Sequence, residues 1–275
     1  MKKLRLFSLF ILLCCSTICQ SQQTDSTVSF SKFRLSVSYN SGLNYFGRTD
    51  SLKSSGVFPM AEIWFTNNFY VNAAPIFVYN KLQSMNYAGS VATMGYLSVS
   101  DKWISHLYLL KPFYKEASDL VQSALKMQSG ASFTFLNSVI NLTAGGDVKL
   151  SDRIDYGATA GIDHIFRKEN KDNSVLVLDP SLTINAGTQN FSNTYTKRTG
   201  GLLPREQRVT ETYQNFNLLS VEASMPVIYT KEKFQIIATP AYVMPKNLLK
   251  VAGRPDLSET GENMFYTTVT VKYNF

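Results

Sequence analysis

The chain has 275 residues, a formal net charge of +7, 13% aromatic residues, 17% charged residues and three cysteines. The charged share lies below the ~25% usual for a soluble domain. No segment after the first residues approaches the ~18–20 continuous apolar residues that a membrane helix needs.

Met1 to Gln23 reads as a secretory signal. Lys2, Lys3 and Arg5 form a basic start, Leu6 to Cys15 an apolar stretch too short to span a bilayer, and polar residues follow. Cleavage near Ser21 divides the chain into a signal peptide, 1–21, and one mature domain, 22–275. Cys14 and Cys15 lack the small preceding residues of a lipid-acceptor site. Cys14, Cys15 and Cys19 all leave with the signal. Disulfides, thiol catalysis and cysteine-based zinc sites are thereby excluded from the mature domain. Loss of Lys2, Lys3 and Arg5 lowers the net charge from +7 to +4. No Lys/Arg run and no nucleic-acid motif remains, so no nucleic acid is expected as a partner.

Period-two alternation then recurs along the chain, the mark of strands with two different faces. Phe33, Leu35, Val37 and Tyr39 alternate with Arg34, Ser36, Ser38 and Asn40. Ile140, Leu142, Ala144 and Val148 oppose Asn141, Thr143, Asp147 and Lys149. Ile154, Tyr156, Ala158, Ala160 and Ile162 oppose Asp155, Gly157, Thr159, Gly161 and Asp163. Further apolar faces run through Leu176–Ala186, Leu219–Val227 and Phe234–Met244. Residues 191–198 form the weakest strand. Short polar turns are expected at 66–68, 150–153, 188–190 and 229–233. Longer loops are expected at 41–56, 81–130, 167–173, 199–211 and 245–262. Nine connections make ten strands, and an alternating piece near Tyr87–Val99 would add a hairpin and make twelve.

Two features depart from plain strands. Pro59, Pro75, Pro180, Pro226 and Pro240 fall inside strand patterns, where proline cannot donate a ladder hydrogen bond, and read as bulges or rim positions. In the longest loop Ala117, Leu120, Val121, Ala124 and Leu125 share one helical face. The spacing predicts a helix over 113–128. It would pack at the rim or mouth of a barrel, or offer a docking face to a protein partner, as the outer loops would.

The last segment, Met264–Phe275, sets Phe265, Thr267, Val269, Val271, Tyr273 and Phe275 against Tyr266, Thr268, Thr270, Lys272 and Asn274. Apolar outside, polar inside and aromatics at both ends suit a strand crossing a bilayer. With the signal peptide and the alternating strands, "TVTVKYNF" resembles the ending of small outer-membrane β-barrel proteins of Gram-negative bacteria. The resemblance implies an all-β antiparallel transmembrane barrel with both termini periplasmic. It also implies that Phe265, Val269, Val271, Tyr273 and Phe275 form an assembly signal for the barrel-assembly machinery. Outer-membrane lipid is the expected surrounding partner. A secreted soluble β-sandwich or barrel is the rival architecture.

The inward face carries Arg34, Glu62, Asp147, Lys149, Asp155, Asp163, Asp179, Glu222 and Lys272. In a narrow barrel these charges must pair or stay wet. His106 and His164 have no partner set that would make a catalytic constellation, and no hydrolase, metal, P-loop or dinucleotide motif occurs. No cofactor and no enzymatic activity are expected. Three functions remain: a structural or binding barrel whose loops meet a partner or the envelope surface, a narrow channel for small solutes, or an outer-membrane lipid hydrolase. The loop runs 196–198 and 205–208 add positive charge that could meet surface phosphates.

Overall fold

The computed structural model describes residues 32–49, 52–82, 84–115, 125–151, 153–199, 205–248 and 258–275, the side chains of 189–199 and 205–214 excepted. The signal-peptide reading lies outside them. Strand segments are β1 (Lys32–Asn40), β2 (Ser55–Trp64), β3 (Phe69–Tyr79), β4 (Asn86–Val99), β5 (Trp103–Tyr114), β6 (Met127–Phe135), β7 (Asn141–Leu150) and β8 (Ile154–Asp163). They continue with β9 (Phe166–Glu169), β10 (Val175–Leu178), β11 (Ser181–Thr199), β12 (Arg205–Ser224), β13 (Val227–Lys231), β14 (Phe234–Pro245) and β15 (Met264–Asn274).

Each strand pairs antiparallel with its chain neighbour, and β15 pairs with β1 from Arg34↔Asn274 to Asn40↔Thr268. The remaining closure is β12 with β14. Three strands are each split into two segments by a short break, β8 with β9, β10 with β11, and β12 with β13. The register continues across every break: Ser181↔Asp163 precedes Leu178↔Phe166, and Ser224↔Ala241 precedes Val227↔Ala238. The architecture is therefore a closed antiparallel barrel of twelve strands. Closure removes every sheet edge from the wall, as the resemblance implies.

Several expectations change. The count is twelve rather than ten, because β4 and β5 occupy much of the loop placed at 81–130. Phe113 and Tyr114 end β5, and Met127 and Gln128 open β6, so the ladder takes both ends of the proposed 113–128 helix. Residues 116–124 of that helix lie outside the described residues. The turn placed at 188–190 is the interior of β11, which pairs with β12 as far as Thr199↔Arg205. The loop placed at 167–173 is β9 and a turn at 170–174, on the same side as Lys32 and Phe275. The short connection after Leu150 lies on the opposite side. The loop at 199–211 shrinks to residues between β11 and β12, and the weak strand at 191–198 is part of β11.

Beyond Gly187, β11 pairs with β12 alone. At ~3.3 Å per residue this two-stranded ribbon extends roughly 40 Å past the neighbouring ladder.

The two faces separate as alternation demands. Along β8 every residue from Ile154 to Ile162 on the even positions is exposed, and the odd ones are covered. Rings gather at both ends of the outer face. At the terminal end Phe275 packs on Phe33 and Tyr273, with centroids 5.3 and 4.7 Å apart, and its N–H donates to the Phe33 carbonyl at 3.0 Å. At the other end Tyr39 stacks on Tyr79, whose hydroxyl it meets at 2.9 Å. From Phe265 to Phe275 the outer face of β15 covers about 25 Å at ~3.3 Å rise and ~40° tilt, the height of an apolar bilayer band.

This separation sets a test of register. Ala158 faces out, opposite Gly146 and Ala186, while the Thr159 hydroxyl faces in and donates to Asn185 Oδ1 at 2.9 Å. Ala158→Arg should lower unfolding stability in lipid vesicles by ~2–4 kcal/mol. Thr159→Arg should cost less, because its cation enters a polar interior. The reverse order would place β8 one residue out of register.

Candidate functional site in the barrel lumen

The lumen is built from the inward set. On β1, β2 and β15, Arg34 lies opposite Glu62, and Ser36 opposite Lys272. Arg34 Nη1 is 3.2 Å from Glu62 Oε1, Lys272 Nζ 3.9 Å from the same oxygen, and Trp64 Nε1 donates to it at 2.7 Å. Glu62 is only 7% exposed, and this buried carboxylate is held by two hydrogen-bond donors, Arg34 and Trp64, with the Lys272 ammonium as a further cation nearby. The Arg34 guanidinium also covers the Trp64 ring at 4.7 Å.

From Trp64 a run of rings crosses three strands. Trp64 and Tyr70 have centroids 4.9 Å apart, Tyr70 and His106 6.0 Å, His106 and Tyr108 5.5 Å. The Tyr70 hydroxyl and His106 Nε2 share a 2.8 Å hydrogen bond, and Gln128 Nε2 donates to the Tyr108 hydroxyl at 2.9 Å. Glycine makes the run fit. A Cβ on Gly95 would lie 2.5 Å from the Tyr70 ring, and one on Gly130 2.6 Å from the Tyr108 ring. Each ring lies flat against its neighbour's backbone rather than filling the lumen.

The opposite wall is polar. Lys149 forms an ion pair with Asp147, for whose carboxylate Gly157 leaves room. Asp155 accepts from the Thr188 hydroxyl at 2.9 Å. Asp163 accepts from Asn141 Nδ2 at 2.7 Å. Asp179 sits at the break before Pro180, its N–H donating to the Pro226 carbonyl at 3.0 Å. Glu222 is hydrogen-bonded to Tyr266. The nine charged residues expected inside thus form four groups: Arg34, Glu62 and Lys272; Asp147, Lys149 and Asp155; Asp163 with Asp179; and Glu222 by itself.

The connection between β1 and β2 completes the site. Tyr45 and Arg48 exchange backbone hydrogen bonds of 2.8 and 3.0 Å, closing a tight turn over Phe46 and Gly47, with φ of 54° and 77°. Positive φ at both central residues is the two-residue hairpin geometry that glycine favours. A side chain on Gly47 would also strike Pro245. The turn carries its side chains into the mouth, Tyr45 to a strand half the ring away and Arg48 to β12 and the end of β14. Tyr45 reaches Lys149 on β7, where burial pushes its hydroxyl above the usual value while the Lys149 cation pulls it down. Arg48, 6% exposed, donates to the carbonyls of Leu219 and Lys246, both at 3.2 Å, and pairs with Glu259 at 3.1 Å. The Leu219 carbonyl already accepts the Lys246 N–H at 2.8 Å, where the β12–β14 pairing runs on past Pro245, and a carbonyl oxygen has a second lone pair for Arg48. Beneath the turn remains a cavity of about 330 Å³, lined by Tyr45, Arg48, Lys149, Asp155, Thr188 and Glu259 among others.

Sequence reasoning did not single out Tyr45, Arg48, Trp64 or Tyr70. Alternation from Glu62 would have found Trp64, since both lie on one face of β2. Arg48 has no such signal. His106 faces the lumen, and His164 lies in the break after β8 against Phe166 at 4.4 Å.

No protein-family model matches the chain, and no curated protein matches it. Solved structures similar to it include the beta domain of the Bordetella autotransporter Brka, 10% identical over 90% of this chain and 100% of that one, TM-score 0.43. An outer membrane channel from Pseudomonas putida F1 is 9% identical over 92% and 100%, TM-score 0.46. LpxR from Salmonella typhimurium is 8% identical over 87% and 99%, TM-score 0.41. At these scores the strand pairing of the chain itself, rather than the likeness, establishes the barrel.

The ring run generates a prediction. Gly95→Val or Gly130→Val should destabilise the barrel by ~1–3 kcal/mol through overpacking, measured by urea unfolding in vesicles. Gly146→Val, whose side chain would face outward, should cost less.

Proposed function

We propose that this chain is an outer-membrane β-barrel of binding type, closed to free passage at its outer mouth. The supporting observation is the inward fold of the first loop: Tyr45 meets Lys149 on β7, half the ring away, and the buried Arg48 guanidinium fixes the turn to β12 and to the end of β14. The apolar outer face with aromatic rings at both ends supports placement in lipid. Both termini lie at one end, which in this reading is periplasmic, and residues 1–21 are removed on export. The long loops and the β11–β12 ribbon face outward, where they meet a partner or the envelope surface. In this reading the role is not enzymatic: His106 Nε2 is engaged by the Tyr70 hydroxyl.

The narrow channel is the second reading, and conductance separates the two. In planar bilayers the wild-type protein should give no stepwise conductance. Arg48→Ala, which frees the turn from Leu219, Lys246 and Glu259, should introduce steps. Regular steps from the wild type would favour the channel.

Assembly follows from the terminal strand. Phe275→Ala removes a ring from the Phe33–Tyr273 cluster. It should reduce folded, heat-modifiable protein in outer-membrane fractions and raise periplasmic misassembled protein. Normal assembly would remove Phe275 from the signal.

A further inference from the structure

The β2–β3 ladder has a break in its middle. Pairing holds at Val57↔Phe77 and resumes at Ala61↔Ala73, but Phe58, Pro59 and Met60 form no pairs with Ala74, Pro75 and Ile76. The register sets Pro59 opposite Pro75. Neither has an N–H, so the two hydrogen bonds that this pair would exchange cannot form. Each proline still keeps register with its other neighbour, Pro59 with Val37 and Pro75 with Ser90. The defect is thus confined to one seam of the wall.

Three observations meet at the seam. On the outside lies a groove of about 430 Å³, lined by Leu35, Val37, Pro59, Ala61, Ala73 and Pro75. Two residues of the inward set, Ser36 and Met60, border the same groove. Ser36 is 5% exposed, and its Oγ has no hydrogen-bond partner among the described residues. Such a buried hydroxyl is costly unless something bonds it. Ser36 stands opposite both Met60 and Lys272. The adjoining cluster, Arg34 and Lys272 with Glu62, carries two cations against one carboxylate.

We propose that the Pro59–Pro75 seam is a lateral port for a long-chain carboxylate. Its hydrocarbon chain lies in the outer groove and passes the seam, and its carboxylate is held inside by Lys272, Arg34 and the Ser36 hydroxyl. The proposal rests on the membrane placement given above. The chemistry fits a monoanion: the cluster lacks one negative charge, and the hydroxyl lacks one acceptor. The groove faces the hydrocarbon layer, so an apolar chain needs no other route to it. Inside, the inward set at this level is apolar, with Met60, Ala74 and Ile76 in contact range of a chain that has passed through.

The test uses the full chain in dilauroyl-phosphatidylcholine vesicles with palmitate carrying a diazirine on its chain. After photolysis, mass spectrometry locates the adducts. The wild type should carry adducts on the inward Met60 and Ile76 as well as on the outward Leu35 and Ala73. Lys272→Gln should lower the inward adducts about tenfold, the loss expected for one charge-assisted hydrogen bond. Pro59→Val with Pro75→Val restores both N–H groups and should abolish inward adducts while keeping outward ones. Pro75→Ala is the milder second variant, and heat-modifiable mobility verifies that each is folded. Outward adducts alone in the wild type overturn the port. So do inward adducts that persist in the folded double variant. A phosphatidylcholine bearing the same diazirine chain should leave Met60 and Ile76 unlabelled, and equal labelling would overturn the carboxylate assignment. A failure of membrane placement is read separately, as absence of outward adducts from both probes.

Discussion

The antiparallel ladder between β1 and β15 is the constraint on which the rest depends. A strand in hydrocarbon has no water to satisfy its backbone, so every N–H and C=O in the wall must find a neighbouring strand. Pairing the first strand with the last removes the two edges that an open sheet would leave. Once the ring closes, each strand has one side in lipid and one in the lumen, and period-two alternation becomes obligatory. The position of Phe275 follows from this as well: its amide belongs to Phe33, and its ring completes the cluster at the closing seam.

Closure moves the energetic problem inward. The lumen must accommodate charge without leaving it bare, and it does so in two ways. On β1, β2 and β15, one buried carboxylate collects Arg34, Lys272 and the Trp64 indole, and aromatic rings continue the contact around the wall. On β7 and β8, short side chains and glycines let ion pairs and hydroxyls meet at close range. The first loop joins the two halves. Arg48 needs acceptors where it is buried, and it finds them in the second lone pair of the Leu219 carbonyl, already bonded to the Lys246 N–H, and in the Lys246 carbonyl.

Much of this was legible in the sequence, and the failures have physical reasons. The faces of β1, β7, β8, β14 and β15 were readable because lipid and lumen impose opposite polarity on neighbouring residues. Thr188, Gln189 and Asn190 looked like a turn because they are polar. Their polarity instead accompanies the point where β11 leaves the barrel wall and pairs only with β12. The run at 167–173 misled in the same way. The helical spacing of Ala117 to Leu125 drew attention from the alternation of β4 and β5 on either side, so one hairpin was treated as an alternative rather than as the answer. Connection length did not reveal which end a turn occupies, as the short link after Leu150 illustrates. The inward fold of the Tyr45–Arg48 turn was not readable at all. A loop arginine that folds inward onto the end of β12 has the same local sequence as one in solvent.

The prolines connect the two proposals. In a wall whose logic is complete backbone pairing, a proline that faces solvent or a strand break costs little. Pro180 and Pro226 sit in strand breaks and Pro240 lies on β14 opposite the β12–β13 break, and the carbonyls of all three still accept backbone N–H groups. Pro59 and Pro75 differ, because they face each other within continuous strands and remove both bonds of one pair. A barrel selected only for closure would fill that pair with ordinary residues. With the mouth crossed by the first loop, the opposed proline pair is a place in the described wall where the backbone pairing between lumen and lipid is interrupted. An occluded mouth and a weakened side then form one arrangement, in which a ligand arrives through the membrane rather than from the water above it.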